Sequence, residues 1–448
     1  MLNRLITASL YLLVFLLPFQ TRWIYSAAFL NGQYFEYGTF CLYATELLLG
    51  AIMIMAIIYA SIRMWLYAND TNMRMRKVMP FIIALLILIL NCALAINPQL
   101  AFYKLSWLIQ AAAIFFIILL IKPDHKKIAW AIIASATAQS LFAIQQFFSQ
   151  QVVANKWLGI ASQLPATLGV PVVEANGIRW LRTFGTLPHP NMLAGFLAIG
   201  LLLIVLLAMD APRRTRFILS GLFIVTFFAL LTALSRGALL AFFIALAVLI
   251  VVSSKKNLQT ASALSFTCLA LIMLAIFSFA YPQLIKTRAL GNDRIENISN
   301  TTRVEQYSEF RDIYKNNWIL GVGLGNYPVA LHQLKPNEPA YSLQPIHNTF
   351  LLIIAELGLF GILALALLGA LLITPLFRVG MPALPPSLNN FGEPRKGGVS
   401  PNSLTLPTLL TLLTFLALID HYFWSFYFGI MLATIILALP FIPTRQTE

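Results

Sequence analysis

An all-α polytopic membrane protein is the predicted fold class, and three observations predict it. Of the 448 residues, 59% are hydrophobic and only 10% are charged, where a soluble domain carries about 25% charged residues; so few polar groups cannot coat a globule. The mean hydropathy is +0.81, and apolar runs as long as the roughly 18 residues that span a bilayer recur along the whole length, which excludes a soluble enzyme on one anchor. Stretches such as 81–90 and 201–208 are continuously apolar, whereas the strands of a transmembrane barrel would alternate over about 10 residues.

Twelve spans are expected, at 4–20, 41–62, 79–97, 101–121, 128–149, 188–209, 216–233, 236–252, 262–281, 347–376, 404–420 and 422–441. The loops alternate in charge. Those on one side carry seventeen of the thirty basic residues against five acids, in short connections such as Arg213-Arg214 and Lys126-Lys127; by the positive-inside rule this side is cytoplasmic and holds both termini. The same rule accounts for the formal net charge of +14 without nucleic acid as a partner. Arg4 ahead of a short apolar run, with Ser26-Ala27-Ala28 beyond it, imitates a secretory signal, but cleavage would break the alternation, so the first span is kept. Cys41, Cys92 and Cys268 show no C-x-x-C spacing and imply neither a disulfide framework nor a zinc site.

The outer side is almost neutral and holds nearly all the extramembrane mass, in segments 150–187 and 281–346. Loops of that length are too long to be plain connections and tend to carry function. Within the second, Val304, Tyr307, Phe310, Ile313, Tyr314 and Trp318 recur every three or four residues among charges, the pattern of a helix over 302–318 lying on the membrane surface. Gly321-Val-Gly-Leu-Gly325 ends it as a flexible turn; no strand precedes it, so it is no dinucleotide fingerprint. The Pro-, Gly- and Ser-rich stretch 381–407 reads as a linker. The resulting division is 1–180 for the N-terminal spans and first outer loop, 181–376 for a core with the large loop 282–346, 377–403 for the linker and 404–448 for the last spans.

Ionisable groups at a membrane edge are costly and carry a functional hypothesis by default. Arg182 stands just outside the sixth span, Arg236 in the very short turn between the seventh and eighth, and Arg303 at the start of the surface helix. Any one of them alone reads as a snorkelling anchor. Three on a side under no positive-inside pressure are different, and guanidinium forks match phosphate oxygens, so a phosphate or diphosphate ligand is expected. His347 with Asn348 opens the tenth span and Glu356 lies two to three turns deeper. Histidine suits proton transfer near neutral pH, and neighbouring arginines favour its neutral, basic form. His189 between Pro188 and Pro190 reads as structural; His125, His332 and His421 show no partner in the sequence. No metal site is expected, Asp293 and Glu296 being interrupted by Arg294, and no Ser-x-x-Lys or Gly-x-Ser-x-Gly nucleophile occurs. A polytopic lipid transporter is the alternative from another class, though it should show polar residues or broken helices at mid-membrane.

Taken in order, Arg182-Thr-Phe-Gly-Thr-Leu-Pro-His-Pro-Asn-Met-Leu-Ala194, Leu234-Ser-Arg-Gly-Ala238, Arg303 with Trp318-Ile-Leu-Gly-Val-Gly-Leu-Gly325, and His347-Asn-Thr-Phe-Leu351 with Glu356-Leu-Gly358 resemble the O-antigen ligase and O-antigen polymerase superfamily over residues 180–360. The resemblance implies twelve spans, a GT-C-type glycosyltransferase fold, and an active site on the periplasmic face of a bacterial inner membrane. It implies an undecaprenyl-diphosphate-linked glycan donor, a lipid A-core or other glycan acceptor, and neither metal nor nucleotide sugar. Carried over, His347 is the general base of an inverting transfer, Arg182, Arg236 and Arg303 bind the diphosphate, and Asn348 and Glu356 support. Ligase, polymerase and protein O-oligosaccharyltransferase would share these motifs and differ in acceptor.

Overall fold

The computed structural model describes residues 1–66, 75–254, 257–290, 294–379 and 402–442. In chain order the elements are α1 (Leu2–Leu16), β1 (Arg22–Ser26), β2 (Phe29–Leu30), β3 (Gln33–Tyr34), β4 (Phe40–Tyr43), α2 (Ala44–Leu66), α3 (Met75–Ala93), α4 (Pro98–Ile121), α5 (His125–Ser149), β5 (Val172–Ala175), β6 (Ile178–Leu181), α6 (Pro190–Met209), α7 (Arg213–Thr232) and α8 (Arg236–Ser253). There follow α9 (Asn257–Ala280), α10 (Pro282–Leu290), α11 (Arg294–Asn317), α12 (Tyr327–Leu334), α13 (Thr349–Val379), α14 (Asn402–Ile419), α15 (Tyr422–Ser425) and α16 (Tyr427–Ala438).

The architecture is that of a polytopic, mostly helical membrane protein. Among the described residues, eight helices, α2, α4 to α9 and α13, are long and apolar enough to cross a membrane. Four shorter apolar stretches, Leu2–Leu16, Ile82–Ala93, Thr405–Ile419 and Tyr427–Phe441, fall on the remaining expected spans. Helix α6 is apolar on every face and 89% buried along its span, against 22% for α2 and α9; a helix hydrophobic all round belongs in the interior. It is the axis of the bundle, packed by α5, α7, α8, α9 and α14. Helices α3, α4 and α13 form a second packed group.

Several expectations need correction. The span expected from 41 begins as strand β4, and the helix starts only at Ala44. The last span is broken: α15 stops at Ser425 and Phe426 is extended before α16. The outer helix starts at Arg294 rather than 302, and Val304 and Tyr307 on its apolar stripe remain 71% and 54% exposed while Ile313 is buried. Asp293 lies outside the described residues, as do residues 380–401 of the expected linker; its last residues already belong to α14, which contains Pro407. The glycine run is a docked turn. Gly321 has φ +72°, and a Cβ there would meet the Glu356 carbonyl oxygen at 2.3 Å and the Gly358 nitrogen at 2.6 Å, at the kink of α13. Val322 and Gly323 donate their N–H groups to the carbonyls of Ala355 and Glu356 across that close approach.

Strands were not expected, yet among the described residues two short antiparallel hairpins and a third antiparallel pair occur. β2 and β3 turn at Asn31-Gly32 (φ 51° and 75°), β5 and β6 at Asn176-Gly177 (φ 52° and 75°), and β1 pairs with β4 around the first. Asn-Gly with both φ positive is the turn whose twist suits paired strands. These hairpins cover the end of the bundle where α6, α8 and α13 begin. Asn31 donates to the carbonyls of Pro336 and Glu338, both at 2.8 Å, which ties the first hairpin to the segment leading into α13.

Candidate active site

The segment between β6 and α6 is held by buried amides on α5. Gln146 accepts from the N–H groups of Phe184 and Gly185, both at 2.9 Å, and donates to the Gly185 carbonyl at 2.7 Å; Gln139 accepts from Thr186 at 2.8 Å. Gly185 is required there, since φ is +59° and a Cβ would stand 2.5 Å from the Gln139 oxygen. This fixed strap sets Arg182 at the end of β6. Its guanidinium is buried, donating to the Ala233 carbonyl at 2.9 Å and to the Asn191 oxygen at 2.6 Å. Asn191 in turn donates to the Asp420 carboxylate at 2.9 Å, and the other oxygen of Asp420 accepts from the His421 N–H at 2.8 Å. One hydrogen-bonded chain thus joins the strap, the turn before α8, the start of α6 and the end of α14.

His347 is placed by its neighbours. Asn348 caps α13, its oxygen accepting from the Leu351 N–H at 3.1 Å, the role that favours Asn at this position. The Gln306 oxygen on α11 accepts from the backbone N–H of His347 at 3.1 Å and stands 3.0 Å from Nδ1. A backbone N–H can only donate, so Gln306 presents an oxygen, and Nδ1 must carry the proton. The unprotonated Nε2 is then the basic nitrogen. The imidazole of His421 lies edge-on at 5.1 Å between ring centroids. Burial, and after it the Arg303 guanidinium, lowers the pKa of His347 below 6.5 against the opposing pull of Asp420. Burial also pushes His421 and His189 down to about 3. Burial alone would raise Asp420, but the neighbouring histidines and the Asn191 hydrogen bond hold it below the usual carboxylate range. Near neutral pH the group is therefore one carboxylate among uncharged imidazoles.

Arg182, Arg236, Arg303 and His347 all line one cavity of about 670 Å³, within the range of ligand sites, roughly 300–1,000 Å³. Arg179 and Arg288, not singled out from the sequence, line it too, so among the described residues five arginines face it with Asp420 as the one carboxylate. Arg236 donates to the Arg288 carbonyl at 2.9 Å, and Arg288 donates back to the Leu234 carbonyl. Ser235 and the first residues of α8, Arg236 to Ala238, complete the wall and add the unsatisfied N–H groups and positive end of a helix. The chemistry of this lining suits an anion of several oxygens.

Glu356 is not in it. Buried on α13, it accepts from the Trp424 indole at 2.7 Å and faces the Tyr327 N–H at 3.5 Å, with Lys104 lining the same small void; it fastens α12, α13 and α15 together. His189 caps α6 through Nδ1, accepting from Asn191 at 3.1 Å, and also borders the cavity. His421, which had no partner in the sequence, bonds Ser425 at 2.6 Å through Nδ1. Among the described residues one group has metal-ligand character: His347, Asp420 and His421 offer ligand atoms all within 4.8 Å of one another. One carboxylate beside five guanidiniums is a poor setting for a cation.

The stretch 221–366 matches the O-antigen ligase family model. That stretch is similar to O-antigen ligases. Arg236, Arg303, His347, Asn348 and Glu356 fall inside the matched stretch, while Arg182 and the Asp420–His421 pair lie outside it. No curated protein matches the chain. The similarity supports an O-antigen ligase- or polymerase-type activity in a membrane protein.

Proposed function

We propose that the protein is an inverting glycosyltransferase that moves a glycan from undecaprenyl diphosphate to an acceptor hydroxyl at the periplasmic face of the bacterial inner membrane, in the manner of an O-antigen ligase. The observation that carries this reading is the shared cavity lined by Arg182, Arg236, Arg303 and His347. In the step proposed, Nε2 of His347 takes the acceptor proton and the hydroxyl oxygen bonds to the anomeric carbon. The bond from that carbon to the phosphate oxygen breaks, and the diphosphate leaves with its electron pair against the arginines. A diphosphate already leaves readily, so positioning, one base and charge stabilisation suffice. Twelve crossings and cytoplasmic termini belong to the same reading and rest on the apolar helices and the basic bias of one set of loops; a GT-C-type fold belongs to it only through the family resemblance. A polymerase would use the same site with a second lipid-linked glycan as acceptor, and a protein O-oligosaccharyltransferase a serine or threonine hydroxyl.

The test is a purified transfer assay with lipid-linked glycan and candidate acceptors, a lipid A-core preparation, lipid-linked glycan and an unstructured Ser/Thr peptide, each with and without EDTA. Transfer to the lipid A-core in EDTA is expected. Loss of activity in EDTA, restored by a divalent cation, would move the chemistry to the His347–Asp420–His421 group; no transfer to any acceptor would end the reading.

The pH profile gives a second check. The neutral form of His347 acts, and its pKa lies below 6.5, so kcat/KM holds at pH 6.5 and falls only as pH drops through that lower value. Asp420→Asn removes the one charge that raises the pKa, so the acid limb moves to still lower pH. An acid limb at or above 6.5, or one shifted upward in the variant, contradicts His347 as the titrating base.

A further inference from the structure

A second cavity, of about 430 Å³, meets the arginine-lined one at a common wall that includes His347, Asp420, His189 and Tyr422. Its character is opposite. Where the first is walled by five arginines, the second contains one, Arg22, and that one is cancelled: its two terminal nitrogens donate to the two carboxylate oxygens of Glu36, the second at 2.9 Å, and the Tyr34 hydroxyl donates to the same carboxylate at 3.0 Å. Burial acts against the charge on Glu36, yet the Arg22 hydrogen bonds hold its pKa below the usual carboxylate range, so the pair stays ionised and mutually neutral. The remaining wall carries tyrosine rings and the amides Gln20 and Gln163. The first strands and the loop after α5, which supply Arg22, Tyr34, Glu36 and Gln163, lie outside the stretch matched to the ligase family, while Tyr341 and Gln344 on the opposite wall lie inside it.

We propose that this chamber is the acceptor subsite and that it takes an uncharged sugar ring. The inference rests on the transferase reading above and deepens it. Displacement with inversion requires the hydroxyl to approach the anomeric carbon from the side opposite the leaving diphosphate, with its proton within reach of the base. Among the cavities of the described residues, this chamber borders His347 from outside the arginine cavity. A hexose presents hydroxyls around an apolar ring face; tyrosine rings cover such a face, while amides and a paired guanidinium and carboxylate donate and accept at its rim. Among the described residues of this wall the one cation is Arg22, already committed to Glu36, so a phosphorylated sugar finds no cation there to neutralise it.

The experiment uses full-length enzyme in lipid nanodiscs with lipid-linked glycan and the acceptor preparation on which the wild type is active. Gln163→Trp, which fills the chamber, and Tyr34→Ala, which removes one ring from its wall, are compared with wild type for acceptor KM and donor KM. Acceptor KM is expected to rise about tenfold or more, the worth of roughly 1.4 kcal/mol of contact, with donor KM within about twofold. Acceptors whose terminal sugar is neutral are expected to outcompete the same acceptors bearing a phosphate on that sugar. Unchanged acceptor KM in both variants, or preference for the phosphorylated acceptor, overturns the assignment while leaving transfer itself intact. Equal rises in donor and acceptor KM mean a merely structural effect and also overturn it. Absence of wild-type transfer instead removes the reading beneath it.

Discussion

His347→Ala is expected to lower kcat for transfer about 10²- to 10⁴-fold, the range of general-base assistance, with donor KM nearly unchanged. The separation follows from geometry. The donor diphosphate is assigned to Arg182, Arg236 and Arg303, and the first two are supported away from the imidazole: Arg182 leans on Ala233 and Asn191, and Arg236 on Arg288. Removing the ring therefore leaves the anion cavity standing. What disappears is the one lone pair held in place by Gln306 through Nδ1. His347→Gln sharpens the test, because it fills the space and can bond Gln306 but cannot accept a proton. It should be as slow as alanine, whereas recovery with glutamine would mean that the histidine only fills its site. Initial rates at saturating donor, read by product mass on a gel, decide between the two.

Much of this arrangement could be read from residue order, and what could not has identifiable causes. Long apolar runs announce helices whatever their surroundings, so α4 to α9 start and stop within a few residues of the expected spans. The hairpins were missed although Asn31-Gly32 and Asn176-Gly177 are printed in the sequence; the aromatic, apolar residues around them blended into neighbouring helical runs, and a local turn signal lost to overall composition. Asp420 fell at the seam between two expected spans, and its partner Asn191 is 229 positions away; an acid at a membrane edge beside a histidine was itself the signal. Gln306 offered none. It is an amide on an outer helix, one turn beyond Arg303, and only the fold brings it to His347. Glu356 shows the converse, since its depth on α13 was legible but the face it occupies, toward Trp424 and Tyr327, was not.

Arg236→Lys is expected to weaken donor binding and transfer nearly as much as Arg236→Ala, about ten- to a hundredfold, from the loss of charge-assisted hydrogen bonds worth roughly 1.5–3 kcal/mol. If charge alone mattered, lysine would rescue. Two features of the site argue against that. Arg236 is the first residue of α8 and points one arm of its fork at the Arg288 carbonyl, so the guanidinium is oriented by protein before any ligand arrives. Its partner Arg288 is braced in return on Leu234, whose φ of +50° turns that carbonyl toward the pair. A planar fork can hold such a carbonyl and still present parallel N–H groups to two phosphate oxygens; an ammonium on a flexible stem cannot do both. The readout is the rise in donor KM at fixed acceptor, measured at low and high salt. A point charge would lose most of its effect at high salt, so a lysine variant that matches wild type at low salt, with both losing donor affinity in parallel at high salt, would show that Arg236 acts as charge and not as a fork.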